Sequence, residues 1–303
     1  MTYDIIIIGG GPAGLTAAIY AKRANKSVLV IEKATFGGQI TYSPKVENIP
    51  GFTALSGNEF AEKLVDQALL QGVEMESAEV LSVTGEGPFD VVTDGDTFTA
   101  GALIIATGAK HRMLGLPGEE KWVGNGISFC AVCDGAFYKD GTVAVIGGGN
   151  SALQEALLLS DLCRRVTVVQ NLNFLTGEQK LQEQLLRKSN VNVLLGTVAD
   201  GFIGDETLTG LRVRRVADNA TETLSVDGVF VAIGLVPQNE PFASLLALTE
   251  RGYADSDERC LTKTPGVFVA GDCREKRIRQ VTTAAADGAV AALAACDYLD
   301  AQK

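Results

Sequence analysis

Two cysteines three residues apart, Cys130 and Cys133 in the run Cys-Ala-Val-Cys-Asp-Gly at 130–135, are the pairing in this sequence best suited to do chemistry. A C-x-x-C spacing lets both sulfurs sit at the start of one helical turn. There the free N–H groups and the helix dipole favour a thiolate, the species that attacks a disulfide. The same spacing also serves zinc, but zinc needs further ligands. No second ligand pair follows, and the one histidine, His111, lies in a Lys-His-Arg cluster that reads as solvated surface. No metal site is expected, and a Ser-His-Asp hydrolase is hard to build. The other four cysteines (Cys163, Cys260, Cys273, Cys296) are scattered and read as small buried side chains. Asp134 follows the pair directly. A carboxylate there raises a neighbouring thiol's pKa and could carry a proton for it; the plainer reading is the first residue of an Asp-Gly turn.

Such a pair needs a scaffold and an electron source, and the chain carries a repeated element that offers both. Residues 3–32 and 141–170 each read as an apolar strand, a glycine turn, an alanine- or leucine-rich helix and a second β-branched strand, a βαβ unit. The first copy has Gly9, Gly11 and Gly14, then Glu32 closing its second strand. In that fingerprint the first glycine makes the tight turn, the second lets backbone approach a pyrophosphate, and the third allows close helix–strand packing. The helix N-terminus then faces the phosphates, and the acid accepts from a ribose hydroxyl. The second copy has Gly147, Gly149 and Ala152, and its strand-end position is Gln170 in place of an acid. The following Asn171 to Gly177 contain no lysine or arginine to hold a 2′-phosphate.

A late strand, Val267 to Asp272, ends in Gly-Asp and precedes Arg279-Gln280 and an alanine-rich helix near Thr282 to Tyr298. Ala106-Thr107-Gly108 and Ala232-Ile233-Gly234 each close a strand, and proline and glycine punctuate the chain soon after both. The expected architecture is therefore α/β: two Rossmann-like, three-layer βαβ domains, the second inserted into the first. The first spans 1–114 and 238–303; the inserted one spans 115–237 and carries the cysteines.

Composition narrows the partners. A net charge of −11 disfavours nucleic acid and anionic membrane surfaces. The chain runs from Met1 into a four-isoleucine strand, too short an apolar run for a signal segment or a membrane span. The expected location is cytoplasmic, a reducing compartment in which six cysteines are not a structural disulfide framework.

Taken together, GGGPAG at 9–14, GGQ at 37–39, ENIPGF at 47–52, ATG at 106–108, CAVCDG at 130–135, GGGNSA at 147–152, AGD at 270–272 and RQVTTAA at 279–285 resemble the low-molecular-weight thioredoxin reductase family over essentially the whole chain. The resemblance implies a homodimer whose first domain holds FAD and whose second carries the redox disulfide. It implies that Cys133 lies against the flavin, that Cys130 attacks the thioredoxin disulfide and that Asp134 is the acid. By the same match Gly38, Gln39, Asn48, Asp272, Arg279 and Gln280 are FAD-contacting positions; with Gly9, Gly11, Pro12, Ala13, Gly14, Glu32, Thr107 and Gly108 they make up the expected cofactor-binding set.

One segment departs from that family. Where its NADPH site has a histidine and arginines, this chain has Gln170, Asn171, Leu172 and Thr176. Each arginine–phosphate bond forgone is worth roughly 1.5–3 kcal/mol. The pattern resembles the ferredoxin-dependent flavin thioredoxin reductases, which lack a pyridine-nucleotide site, and implies reduced ferredoxin as donor and thioredoxin as acceptor. An acidic ferredoxin would need a basic patch on this acidic chain; Arg274, Lys276, Arg277 and Arg279, or Lys110, His111 and Arg112, are candidates. The alternatives are an NADH- or NADPH-linked reductase, a dithiol oxidase of the same fold, and a non-enzymatic flavin sensor.

Overall fold

The computed structural model describes residues 1–43 and 46–302. The chain forms two units, one of Met1–Pro44, Ile49–Lys110 and Val236–Lys303, the other of Lys45–Asn48 and His111–Leu235.

The first unit is built on strands β1 (Thr2–Ile8), β2 (Val28–Glu32), β3 (Glu74–Ser77), β4 (Val80–Thr84), β5 (Phe89–Thr93) and β6 (Thr97–Ile105), with helices α1 (Pro12–Arg23) and α2 (Gly57–Leu70). The sheet order is β3-β2-β1-β6-β5-β4. β1 runs parallel to both β2 and β6, while β4, β5 and β6 are antiparallel. Both faces of β1 are covered, which is why it reads as an unbroken isoleucine run instead of an alternation. The pleat sorts those isoleucines: Ile5 and Ile7 pack with α1, whereas Ile6 and Ile8 pack on the opposite face with Phe89 and Val91.

β7 (Ala109–His111) leads into the second unit, which contains β8 (Ile127–Ser128), α3 (Ala131–Asp134), β9 (Thr142–Ile146), α4 (Asn150–Leu162), β10 (Arg165–Val169), α5 (Gln179–Leu186), β11 (Val191–Leu194), β12 (Thr197–Gly204), β13 (Leu208–Arg215), β14 (Thr221–Ser225) and β15 (Gly228–Val231). Its parallel sheet has the order β11-β10-β9-β15-β8, and β12-β13-β14 form a separate antiparallel sheet. Val143, Val145, Val166 and Val168 pack against Leu153, Ala156 and Leu159 of α4. Ala144, Ile146 and Val169 pack on the other face with Leu211 and Val213 of β13. The result is three layers: helix, parallel sheet, antiparallel sheet.

β16 (Leu235–Pro237) pairs with β7, and the chain finishes the first unit with β17 (Val267–Val269), parallel to β6, and α6 (Val281–Asp300). α6 packs tightly on α1: a β-carbon at Gly288 would fall 2.1 Å from the Ala13 carbonyl oxygen. The antiparallel strands β4, β5 and β12 to β14 are features that the sequence reading did not place. Among the described residues no helix is long and apolar enough to cross a membrane, and no group of three His, Cys, Asp or Glu could hold a metal ion.

Candidate active site

Cys130 and Cys133 are joined as a disulfide, with Cα atoms 5.3 Å apart. Cys130 is the N-cap of α3, and its Sγ accepts the Cys133 N–H at 3.2 Å. Ser128, the last residue of β8, ties the site together. Its Oγ accepts the Cys130 N–H at 3.1 Å and donates to Asp134 Oδ2 at 2.6 Å. The other Asp134 oxygen, Oδ1, is buried with no hydrogen-bond partner. Burial raises the Asp134 pKa, with the Ser128 bond opposing. A carboxyl so placed keeps a proton at higher pH than an ordinary aspartate, which is what an acid beside a leaving thiolate requires.

A second carboxyl belongs to this site that the sequence reading did not single out. Glu155 lies on α4, which packs on α3. Its carboxylate meets the Ala131 N–H, and burial pushes its pKa up to about 7, with the Asp134 charge adding to the rise. The signal was present in the sequence: Glu155 sits three residues after Ala152 and four before Leu159, on the helix face those buried residues define.

The first unit forms a dinucleotide cradle from β1, α1 and the segments that follow β2, β6 and β17. Gly9 has φ +113°, and a β-carbon there would lie 2.3 Å from the Ala106 carbonyl oxygen. Gly11 is the N-cap of α1 with no side-chain cap, and Pro12 opens the helix where no N–H bond is lost. Above Gly11 the space is open, its nearest neighbour being the Gly37 carbonyl oxygen at 4.0 Å. Ala13 is buried against Gly271, and Gly14 meets the Gly9 carbonyl, so both set the pitch of the helix on the strand. The Glu32 carboxylate accepts from the Gly10 and Ala34 N–H groups at 2.7 and 2.8 Å, which fixes its orientation. Gly38 backs onto Gly11, and the Gln39 side-chain amide donates to the Ala109 carbonyl.

The far side of the cradle comes from Thr107, Gly108, Asp272, Arg279 and Gln280. Thr107 Oγ1 donates to Asn239 Oδ1 at 3.4 Å. The buried Asp272 Oδ1 has no hydrogen-bond partner, although Lys276 Nζ stands 3.5 Å away. Burial raises the Asp272 pKa, with the charges of Lys276 and Arg279 opposing. Arg279 lies over the Tyr253 ring at 4.1 Å and donates to the Asp272 carbonyl oxygen at 3.4 Å. Gln280 is the N-cap of α6. An uncapped helix N-terminus under open space, a fixed acid at the strand end and an orphaned buried acceptor fit the phosphates, ribose and ribityl hydroxyls of a flavin dinucleotide.

That face is anchored by Asp287, also unforeseen. Its carboxylate takes two hydrogen bonds from Arg274, at 2.8 and 2.9 Å, one from Lys276 at 2.9 Å and one from the Gly271 N–H at 3.0 Å. Burial opposes its ionisation, but the Arg274 and Lys276 bonds prevail and hold its pKa below the usual carboxylate range.

The second glycine turn copies the first in backbone but not in chemistry. Gly147 has φ +131°, and its β-carbon would meet the Ala232 carbonyl oxygen at 2.6 Å. At the position of Glu32 stands Gln170, 4% exposed. Its amide lies on Gly148 and its Nε2 donates to the Phe174 carbonyl oxygen at 3.2 Å. The Thr176 and Gly177 N–H groups both bond the Gly148 carbonyl oxygen, pinning the 171–177 segment to the turn.

Several expectations change. His111 is not a solvated residue: it stacks on Phe129 at 4.6 Å, and burial lowers its pKa to about 4, leaving it neutral. Arg274 and Lys276 cannot form a surface patch, because both are buried on Asp287. Of the basic candidates Lys110, Arg112 and Arg277 are exposed. Asn48 lies in a short segment, Lys45–Asn48, grouped with the second unit.

The whole chain has known counterparts. The profile of the pyridine nucleotide-disulphide oxidoreductase family matches residues 3–288. A thioredoxin reductase of Listeria innocua is 41% identical over 303 residues, covering 99% of this chain and 95% of its own. A Clostridium pasteurianum protein described as a 34.2 kDa protein in the rubredoxin operon is 40% identical over 299 residues, 98% of this chain and 97% of its own. The crystal structure of thioredoxin reductase from Streptococcus pyogenes matches with a TM-score of 0.94 at 37% identity, over 99% of both chains. With a glycine-turn cradle in one unit and a C-x-x-C disulfide in the other, this chain belongs to the pyridine nucleotide-disulphide oxidoreductase family, in its low-molecular-weight thioredoxin reductase branch.

Proposed function

We propose that this protein is an FAD-dependent thioredoxin-disulfide reductase that draws its electrons from reduced ferredoxin. The observation that carries the donor reading is Gln170. It is buried, neutral and turned onto Gly148 and Phe174, and no lysine or arginine follows it through Gly177. A 2′-phosphate would find no cation there, and the ribose of NADH would find no carboxylate. The relative encoded in a rubredoxin operon also favours a one-electron iron protein as donor.

In this reading the second unit is a domain inserted into the FAD-binding one, and the protein works as a cytoplasmic homodimer. Gly9, Gly11, Pro12, Ala13 and Gly14 hold the pyrophosphate at the α1 N-terminus, and Glu32 holds a ribose. Gly38, Gln39, Asn48, Thr107, Gly108, Asp272, Arg279 and Gln280 take the rest of the cofactor, with Asp272 Oδ1 accepting from a hydroxyl. Bound flavin supplies a carrier that takes electrons singly and delivers them in pairs to the cysteines. Cys130 attacks the thioredoxin disulfide, Cys133 resolves the mixed disulfide, and Asp134 carries the proton between the pair and the leaving thiolate.

The test is anaerobic mixing of the flavin-loaded protein with reduced ferredoxin, NADH or NADPH, with thioredoxin dithiol as readout. Ferredoxin alone should support turnover. Flavin bleaching at micromolar NADPH would overturn the donor reading while leaving the disulfide chemistry intact.

A further inference from the structure

The Cys130–Cys133 turn is underlain by two carboxyls, not one. Each presents a buried oxygen, Asp134 Oδ1 and Glu155 Oε2, with no hydrogen-bond partner. They approach the turn by different routes. Asp134 is inside α3 and bonded through Ser128 to the Cys130 backbone. Glu155 reaches from α4 to the N–H of Ala131, the residue between the N-cap cysteine and the rest of the turn.

We propose that Glu155 is a positioning residue for the disulfide chemistry: with Asp134 it forms a carboxyl pair that stores one proton beneath the two cysteines. The proposal rests on the reading of Cys130 and Cys133 as the redox centre, not on the identity of the electron donor.

The exchange balances with water as the outside source of one proton. Cys130 starts as thiolate, Cys133 as thiol, and the carboxyl pair carries one proton. The Cys130 sulfur bonds one sulfur of the substrate disulfide, the substrate S–S bond breaks, and the leaving thiolate takes the stored proton. Cys133 gives its proton to the emptied carboxyl pair, its thiolate attacks the Cys130 sulfur, and the mixed disulfide breaks. The second leaving thiolate takes that proton. Two electrons and two protons have moved to the substrate, and the carboxyl pair is reprotonated from water.

The Asp134 charge disfavours ionisation of Glu155, so the second carboxyl of the pair releases its proton late. Burial of Glu155 pushes its pKa up to about 7, and the Asp134 charge adds to it. Of the elements packed on α4, α3 contributes Asp134 and the cysteines, and the turn after it contributes Tyr138, whose phenol is raised by burial and then by Asp134 and Asp227. β9 has no titratable residue, β10 contributes Arg165, and α5 contributes Lys180 and Glu183, all three exposed. Of these groups only Asp134 acts on Glu155 through its charge.

The test uses the holoprotein reduced with dithiothreitol and follows Cys130 alkylation by iodoacetamide from pH 5.5 to 9, resolved by mass spectrometry. In the wild type, ionisation of Glu155 near pH 7 should put negative charge beside the thiol and flatten the rise in rate. Glu155→Gln keeps an acceptor for the Ala131 N–H but cannot ionise. It should give a single inflection and alkylate about threefold faster at pH 8, the effect of a half-unit shift in thiol pKa. Asp134→Asn leaves Glu155 in place but removes its charged neighbour, so the flattening should move to lower pH. A Glu155→Gln profile superimposable on the wild type, or a flattening that Asp134→Asn does not move, would overturn the proposal. Neither measurement involves ferredoxin, NADPH or thioredoxin, so its failure is separable from failure of the donor reading.

Discussion

The side-chain amide of Gln170 lies against Gly148 so closely that a β-carbon on that glycine would come within 2.5 Å of it. The equivalent pair in the first unit is Glu32 and Gly10, where the carboxylate accepts the glycine N–H at 2.7 Å. One fold thus holds two glycine turns: one carries a carboxylate at its strand end, the other a neutral amide that bonds its own loop at Phe174.

Charge can be restored to that loop. Asn171→Arg, Leu172→Arg and Thr176→Arg together should let NADPH reduce the flavin. At roughly 1.5–3 kcal/mol per charge-assisted bond, two productive contacts are worth at least about a 100-fold gain in affinity. Stopped-flow flavin bleaching by NADPH checks this against the wild type, which on the ferredoxin proposal should not respond. The Gln170 contact with Gly148 remains in the variant, so NADH should gain less.

Cys133→Ser should lower thioredoxin turnover by on the order of 10³-fold or more, as removal of an essential nucleophile does. Cys130 would then be left without its resolving partner. A covalent mixed disulfide between Cys130 and thioredoxin should accumulate and be visible by non-reducing gel and mass spectrometry, with the fold intact by circular dichroism.

Asp287→Asn should destabilise the first unit by about 3–5 kcal/mol, because it leaves Arg274 buried beside a neutral amide. Chemical denaturation measures the loss, and weaker flavin retention should accompany it, since Asp287 also holds the Gly271 N–H next to Asp272. The pH dependence has a definite sign. A carboxyl whose pKa is depressed by folding stabilises above its unfolded value, about 3.9, and loses that stabilisation as pH falls through the lower folded value. The variant should lack that acid limb.

His111 is the one histidine of the chain, so its imidazole gives a single set of NMR signals. They should stay in the neutral form from pH 8 down to 5 and titrate only near the pKa of about 4 that burial imposes. Folding lowers this pKa from its unfolded value of about 6.5, so the stabilisation is complete above that value and is lost as pH falls toward 4. Replacing His111 with phenylalanine, which can still stack on Phe129, should flatten the stability profile in that window.

How much of this could be read along the chain depends on whether the signal was local. The βαβ halves were legible because isoleucine runs, glycine turns and alanine-rich helices report their own neighbourhoods. The antiparallel strands β12 and β14 were not, since they show little alternation and bury few residues fully. The basic patch misled for a related reason. Arg274 and Lys276 look like a charge run in sequence, and nothing nearby announces that Asp287 on α6 will draw both inside.

The sequence by itself determined the chemistry on offer: a C-x-x-C pair, one complete dinucleotide fingerprint, and a second copy without its acid or its cations. Those properties reside in residue types at fixed short spacings, which secondary structure alone brings into register. Only the tertiary structure decided which polar groups would lose water. Packing α4 on α3 buries Glu155 beside the cysteine turn, stacking on Phe129 keeps His111 neutral, and the Gly148 turn seats the Gln170 amide. Ionisation and hydrogen-bond choice follow from desolvation by residues distant in the chain, and no local pattern carries that information.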